Sequence, residues 1–128
     1  HTRSFHVTGV QTCALPIYED DWVEINAKRF AHSLVVLPES TPQPWKVDAF
    51  EDLQYSDFDI LASLKPDLVI LGTGKKQRFA SPRLTANLMS QRIGVECMDN
   101  QAACRTYNIL MAEGRKVALA VILPRQNP

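Results

Sequence analysis

Alternation of apolar and polar residues opens the readable part of the chain. In Trp22-Val-Glu-Ile-Asn26 large apolar side chains alternate with polar ones, the period of two that suits a half-buried strand. Asn26-Ala27, with Lys28, predicts a tight turn. Residues 29–37 resume as a second strand with an apolar finish at Leu34-Val-Val-Leu37, so the two stretches read as an antiparallel hairpin. Pro38, Pro42 and Pro44 follow closely, and their missing N–H groups exclude that stretch from a central ladder. It reads as a loop leading to a short strand at 45–47.

Further along the period changes. Ser56-Asp-Phe-Asp59 opens a short helix, with Ser56 as cap and Phe58, Leu61 and Leu64 as its inward stripe, and Lys65-Pro66 stops it. Leu68-Val-Ile-Leu71 is too short for a free-standing helix and too apolar for an edge, so it predicts a central strand covered on both faces and ending at Gly72-Thr-Gly74. Ser81-Pro82 predicts a helix start, running to about Arg92 with Gly94 as left-handed exit. A strand at 95–98 follows. Asp99 or Asn100 caps a helix over 101–112, whose Ala103, Tyr107, Leu110 and Met111 share a face, and Gly114 closes it. The last strand is the apolar run 116–123, ended by Pro124. The pattern is an α/β fold, an N-terminal β-hairpin region followed by β-α-β-α-β.

A length of 128 residues with 45% hydrophobic content is one domain's worth. Lys and Arg number 14 and Asp and Glu 14, so no net field draws the chain to nucleic acid or anionic lipid, and nucleic acid is excluded as the main partner. No apolar run approaches the roughly 18–20 residues that cross a bilayer, which predicts a soluble protein without membrane insertion. Residues 7–17, VTGVQTCALPI, resemble a translated sequencing-library adapter. Residues 1–17 are therefore set aside as an artefactual, disordered leader, and residues 18–128 form the single domain. Cys97 and Cys104 fit neither a CxxC pair nor a zinc set, so no metal is expected and a reducing, cytoplasmic setting is the default.

In open α/β sheets ligands sit beyond the carboxyl ends of central strands, which directs attention to Gly72, Thr73 and Gly74. The stretch lacks the third glycine of G-x-G-x-x-G, since Gln77 stands there, and it lacks a P-loop frame. What it retains is general. A glycine pair turns backbone N–H groups toward an anion, Lys75, Lys76, Arg78 and Arg83 add positive charge, and the helix start at Ser81 is a second anion-favouring device. In a parallel arrangement Asp99, Asn100 and Arg105 would face this loop. Asp99 also reads as a simple helix cap and Arg105 as a surface ion-pair partner. The candidate ligand-binding set is Gly72, Thr73, Gly74, Lys75, Arg78, Asp99 and Arg105, for a small anionic ligand; no catalytic constellation is legible. Cys104 near a helix start has no nearby His to act as base and reads as a small buried residue.

Leu71-Gly-Thr-Gly74, Pro82, Gly94-Val-Glu-Cys-Met98, Ala102-Ala-Cys-Arg-Thr-Tyr-Asn-Ile-Leu110 and Glu113-Gly-Arg-Lys-Val117 together resemble a family of small single-domain proteins of unknown biochemical function. Its mitochondrial member is the NADH:ubiquinone oxidoreductase (complex I) assembly factor three. The resemblance covers residues 22–123. It implies a three-layer α/β fold with a mixed sheet, no established enzyme activity, no cofactor, and a protein partner bound in an assembly role.

Overall fold

The structure, a computed structural model, describes Cys13–Ala14 and residues 22–123 of the chain. Strand β1 (Cys13–Ala14), inside the stretch expected to be a leader, pairs antiparallel with β2 (Val23–Ile25). The rest of residues 1–17, and the stop expected at Pro124, lie outside the described residues.

β2 and β3 (Lys28–Phe30) form the expected hairpin, in a register that pairs Val23 with Phe30 and Ile25 with Lys28. The two turn residues, Asn26 at φ 54° and Ala27 at φ 67°, are both left-handed, as the two-residue hairpin turn matching strand twist requires. The second strand does not run on to Leu37. It ends at Phe30, and β4 (Leu34–Val36) belongs to a different sheet. Ser33 marks the break. Only 2% exposed, it accepts the Leu123 N–H at 2.9 Å on Oγ, donates from that hydroxyl to the Val47 carbonyl, and accepts the Trp45 N–H at its own carbonyl. A buried serine satisfied by partners distant in the chain diverts it from one sheet to the next.

The main sheet has the order β5-β4-β8-β6-β7. β6 (Leu68–Gly72) lies between β7 (Gly94–Met98) and β8 (Val117–Val121), parallel to both, while β4 runs antiparallel to β8. The sheet is therefore mixed and β6 interior, as expected. Residues 45–47 are not a strand. The edge strand is instead β5 (Gln43–Pro44), two residues long, inside the proline-rich stretch read as a loop. An edge is where a proline fits a ladder. Trp45 is buried for other reasons: its indole N–H donates to the Asp57 carbonyl at 2.9 Å, and its ring meets Phe58 edge-on at 6.0 Å.

Alternation along β6 and β8 builds two cores. Ile70, Val117, Leu119 and Val121 join Val23 and Ile25 of the hairpin and Tyr107 of α3 (Asn100–Ala112). Val69, Leu71, Ala118 and Ala120 join Phe58, Leu61 and Leu88 on the opposite face, under α1 (Asp59–Leu64) and α2 (Ala86–Ser90). Three layers result, and each fully buried aliphatic contributes roughly 1.5–3 kcal/mol over its exposed state.

The helix starts differ in detail from the sequence reading. A 3-10 turn, Tyr55–Phe58, precedes α1, and its cap is Gln54, whose N–H donates to Asp57 Oδ2 at 2.8 Å; Ser56 is not the cap. Ser81-Pro82 open only a turn, in which the Leu84 N–H donates to the Ser81 carbonyl at 2.9 Å. Thr85, at φ −101° and ψ 13°, leaves the helical region and delays α2 to Ala86. The left-handed exit is Arg92 at φ 63°, since Gly94 is already the first residue of β7. α3 begins at its Asp99 cap, with Oδ1 accepting the Ala102 N–H at 2.9 Å, and Gly114 at φ 82° follows its end.

Candidate functional site

β6 leads to α2 on one face and β7 leads to α3 on the other, so the carboxyl ends of these neighbouring strands flank a topological switch point. The glycine loop sits there. A cleft of about 300 Å³ opens beside it, lined by Thr73, Gly74, Lys75, Lys76, Arg78 and Asn100 on one side and by Asp48, Phe50 and Glu51 on the other.

The Thr73 and Gly74 amides are already engaged. The Thr73 N–H donates to the Met98 carbonyl at 2.8 Å, and the Gly74 N–H donates to Asn100 Oδ1 at 3.0 Å. Asn100 closes the other half of the lock, its N–H donating to the Gly74 carbonyl at 2.8 Å and its Nδ2 to the Ile122 carbonyl at 2.9 Å. The Ile122 N–H returns to the Gly72 carbonyl at 3.0 Å. One 1%-exposed carboxamide thus ties the ends of β6 and β8 to the first turn of α3. Gly72 is glycine for that reason: a Cβ there would stand 2.5 Å from Asn100 Oδ1 and 3.2 Å from a Val121 methyl. Gly74 is glycine for its backbone, at φ 108°, with open space where a Cβ would be. The Thr73 hydroxyl, 3.1 Å from the Arg78 N–H it accepts, donates to the Lys76 carbonyl at 2.6 Å and folds residues 73–78 into a compact loop.

Charge around the cleft is mixed. Arg78 forms an ion pair with Glu51 and lies 5.4 Å over the Phe50 ring. The Arg78 hydrogen bond holds the Glu51 carboxyl below its ordinary range. Lys75 and Lys76 are exposed at the mouth. Of the sequence-derived set, Thr73, Gly74, Lys75 and Arg78 line the cleft, and Gly72 is buried at the end of β6 next to it. Asp99 caps α3 and Arg105 is exposed on that helix; neither lines this cleft. Arg83 is exposed on the Ser81 turn. Asn100, expected to face the loop but left out of the candidate set, is the residue the loop is built on. Cys104 is buried and disulfide-bonded, so it offers no thiolate. Among the described residues no group of three or more His, Cys, Asp and Glu side chains is placed to hold a metal. No helix among them is long and apolar enough to cross a membrane.

The family described as "Protein of unknown function (DUF498/DUF598)" matches residues 16–122. The chain belongs to the DUF498/DUF598 family. Bovine NADH dehydrogenase [ubiquinone] 1 alpha subcomplex assembly factor 3 is 31% identical over 102 residues, covering 78% of this chain and 55% of the bovine protein. The chain therefore spans little more than half the length of that relative. Among solved structures, a Bordetella parapertussis protein is 39% identical with a TM-score of 0.82, covering 94% of this chain and 100% of its own. A Mth938-like domain from Bordetella pertussis is 30% identical with a TM-score of 0.78, covering 95% of this chain and 91% of its own. The DUF498/DUF598 fold is thus the three-layer α/β arrangement described above.

Proposed function

We propose that this DUF498/DUF598 domain is a non-enzymatic binding protein that acts on the assembly of an NADH dehydrogenase, through a protein partner and without a cofactor. The observation that carries this reading is the commitment of the glycine-loop amides to the fold. A switch-point loop whose N–H groups are held by Met98 and Asn100 favours a rigid surface over a phosphate cradle. The name of the bovine relative supports the assembly role. The test is deletion of the gene in its own host, followed by native-gel analysis of the NADH dehydrogenase. A reduced amount of assembled complex, restored by the intact gene, is expected; normal assembly in the deletion strain would overturn the reading.

A second reading rests on one observation, the exposed Lys75 and Lys76 at the mouth of the 300 Å³ cleft. In it the loop side chains bind a small anion, with Thr73 and Arg78 shaping the wall. A ligand at 100 times its Kd raises stability by about 2.7 kcal/mol. Inorganic phosphate and simple carboxylates should then raise Tm in the wild type and not in the Lys75→Ala/Lys76→Ala variant. Equal shifts in both proteins would remove this reading.

A further inference from the structure

The two edges of the main sheet are protected very unequally. β5 is two residues long and ends in Pro44, a blunt edge that offers little to a neighbouring strand. β7 is five residues long, pairs among the described residues only with β6, and exposes Gly94 and Glu96. Phe79, 78% exposed, flanks this edge beside Val95 and Cys97. An exposed phenylalanine beside an unpaired strand is the arrangement that soluble proteins ordinarily avoid.

The hydrogen-bonding groups along this edge have a specific pattern. The Met98 carbonyl accepts the Thr73 N–H, continuing the ladder toward β6, so Gly94, Glu96 and Met98 turn their backbone groups inward. By alternation Ile93, Val95 and Cys97 turn theirs outward. Two of those six outward groups are already satisfied. The Cys97 carbonyl accepts Gln77 Nε2 at 3.0 Å, and the Ile93 N–H donates to the Leu88 carbonyl at 2.9 Å. The four left over are the N–H and carbonyl of Val95, the Cys97 N–H and the Ile93 carbonyl.

We propose that β7 pairs antiparallel with β7 of a second copy of this chain, across a two-fold axis at Val95, to give one continuous sheet through both molecules. In that register Val95 faces Val95 and exchanges both its backbone bonds, while the Cys97 N–H meets the partner's Ile93 carbonyl. All four free groups of each copy are matched. The two bonds that this register would otherwise require, from the Ile93 N–H to the Cys97 carbonyl, fall on the two groups each copy has satisfied internally. A slip of two residues, which moves the two-fold axis by one position and places Glu96 opposite Glu96, is disfavoured by like charge. In the Val95 register Glu96 stands opposite Gly94, with Arg92 of the other copy as its diagonal neighbour. An unrelated extended peptide could use the same edge, but self-complementarity of the free groups and of Glu96 with Arg92 selects a second copy.

The inference is independent of the assembly reading and is tested by sedimentation equilibrium on the full chain across a concentration series. The wild type is expected to reach twice the monomer mass. Val95→Pro removes one outward N–H and leaves the bonds to β6, so it should stay folded by circular dichroism and sediment as a monomer. Phe79→Ser, away from the backbone ladder, should weaken the dimer while leaving the monomer's Tm unchanged. Residues opposite each other in a hydrogen-bonded antiparallel pair have Cα atoms about 5.5 Å apart, within disulfide reach. Val95→Cys in a Cys97→Ser background should therefore crosslink to a dimer on mild oxidation, and Glu96→Cys should not. A wild type that remains monomeric at the highest concentration overturns the proposal. So does a dimer that persists in folded Val95→Pro, or one in which Glu96→Cys crosslinks and Val95→Cys does not.

Discussion

Replacement of Asn100 by Asp separates the lock at the switch point from a merely conserved volume, because it changes one donor and nothing else in shape. In the wild type Oδ1 accepts from Gly74 and Nδ2 donates to the Ile122 carbonyl, in a site only 1% exposed. A carboxylate keeps the first bond and sets a second negative oxygen against the Ile122 carbonyl. The acid form keeps both bonds, since its O–H can donate. Folding therefore holds the proton more tightly than the unfolded chain, whose Asp titrates at about 3.9. The folded pKa is raised, so the variant's stability is fully present below about pH 4. It is lost, by about 1.4 kcal/mol per pH unit, as pH rises toward the folded pKa. Asn100→Ala supplies the scale. It strands the Ile122 carbonyl in the core, at about 1–3 kcal/mol, and frees the Gly74 N–H, which water reaches, at about 1 kcal/mol, for a total of roughly 2–4 kcal/mol at every pH. Urea unfolding of all three proteins at pH 4 and pH 7 is the assay. Relative to wild type, the Asp variant should be within about 1 kcal/mol at pH 4 and should fall to or below the Ala variant at pH 7. An Asp variant that tracks the wild type at both pH values would show that the Ile122 bond carries no energy and would refute the lock.

Three other outcomes follow from particular atoms. Tyr107 is fully buried and its hydroxyl has no hydrogen-bond partner among the described residues, so Tyr107→Phe should raise stability by about 1 kcal/mol in a thermal melt at pH 7. Burial also pushes the Tyr107 phenol up from 10.0, so the folded protein keeps a proton that the unfolded chain releases. Wild-type stability should therefore decline above pH 10 more steeply than that of the Phe variant, and parallel curves would count against a desolvated phenol. Ala27 holds φ 67° in the hairpin turn, where an L-residue costs roughly 1–2 kcal/mol; Ala27→Gly should raise the urea midpoint, and a lowered midpoint would refute the strain. Gly72→Ala drives a methyl against Asn100 and should cost about 1–3 kcal/mol or more. Its cost should shrink in the Asn100→Ala background in a double-mutant cycle, whereas simple additivity would place the clash elsewhere.

Most of the architecture was legible because the core strands are encoded redundantly. Leu68-Val-Ile-Leu71 and the run from Val117 are apolar at every position, a pattern that only a strand buried on both faces sustains, and both are interior strands of the sheet. Where the reading missed, the deciding force was tertiary. Residues 29–37 look continuous because nothing local announces that Ser33 is buried against Val47 and Leu123, the latter ninety residues away. Ser81-Pro82 carries a sound local start signal, yet Thr85 is buried and off the helical region, and the turn never joins α2. Pro44 argued against a central strand and correctly so; a two-residue edge lay below what the pattern could resolve.

The glycine pair exposes a deeper ambiguity. A glycine at the end of an interior strand means that something approaches the backbone too closely for a Cβ, and the sequence does not say whether that visitor is a ligand or the chain itself. Here it is the chain: Asn100 Oδ1 occupies the place from which a phosphate oxygen would accept the Gly74 N–H. The signal that distinguishes the two cases was present, but in another segment. A small amide directly after the helix cap that follows the next parallel strand sits at the same end of the sheet as the glycine loop, and an amide both donates and accepts. That combination lets one side chain close two strands and a helix against each other, which a ligand site would leave open. The loop's outward side chains, Lys75 and Lys76, are then free to vary in function without disturbing the lock beneath them.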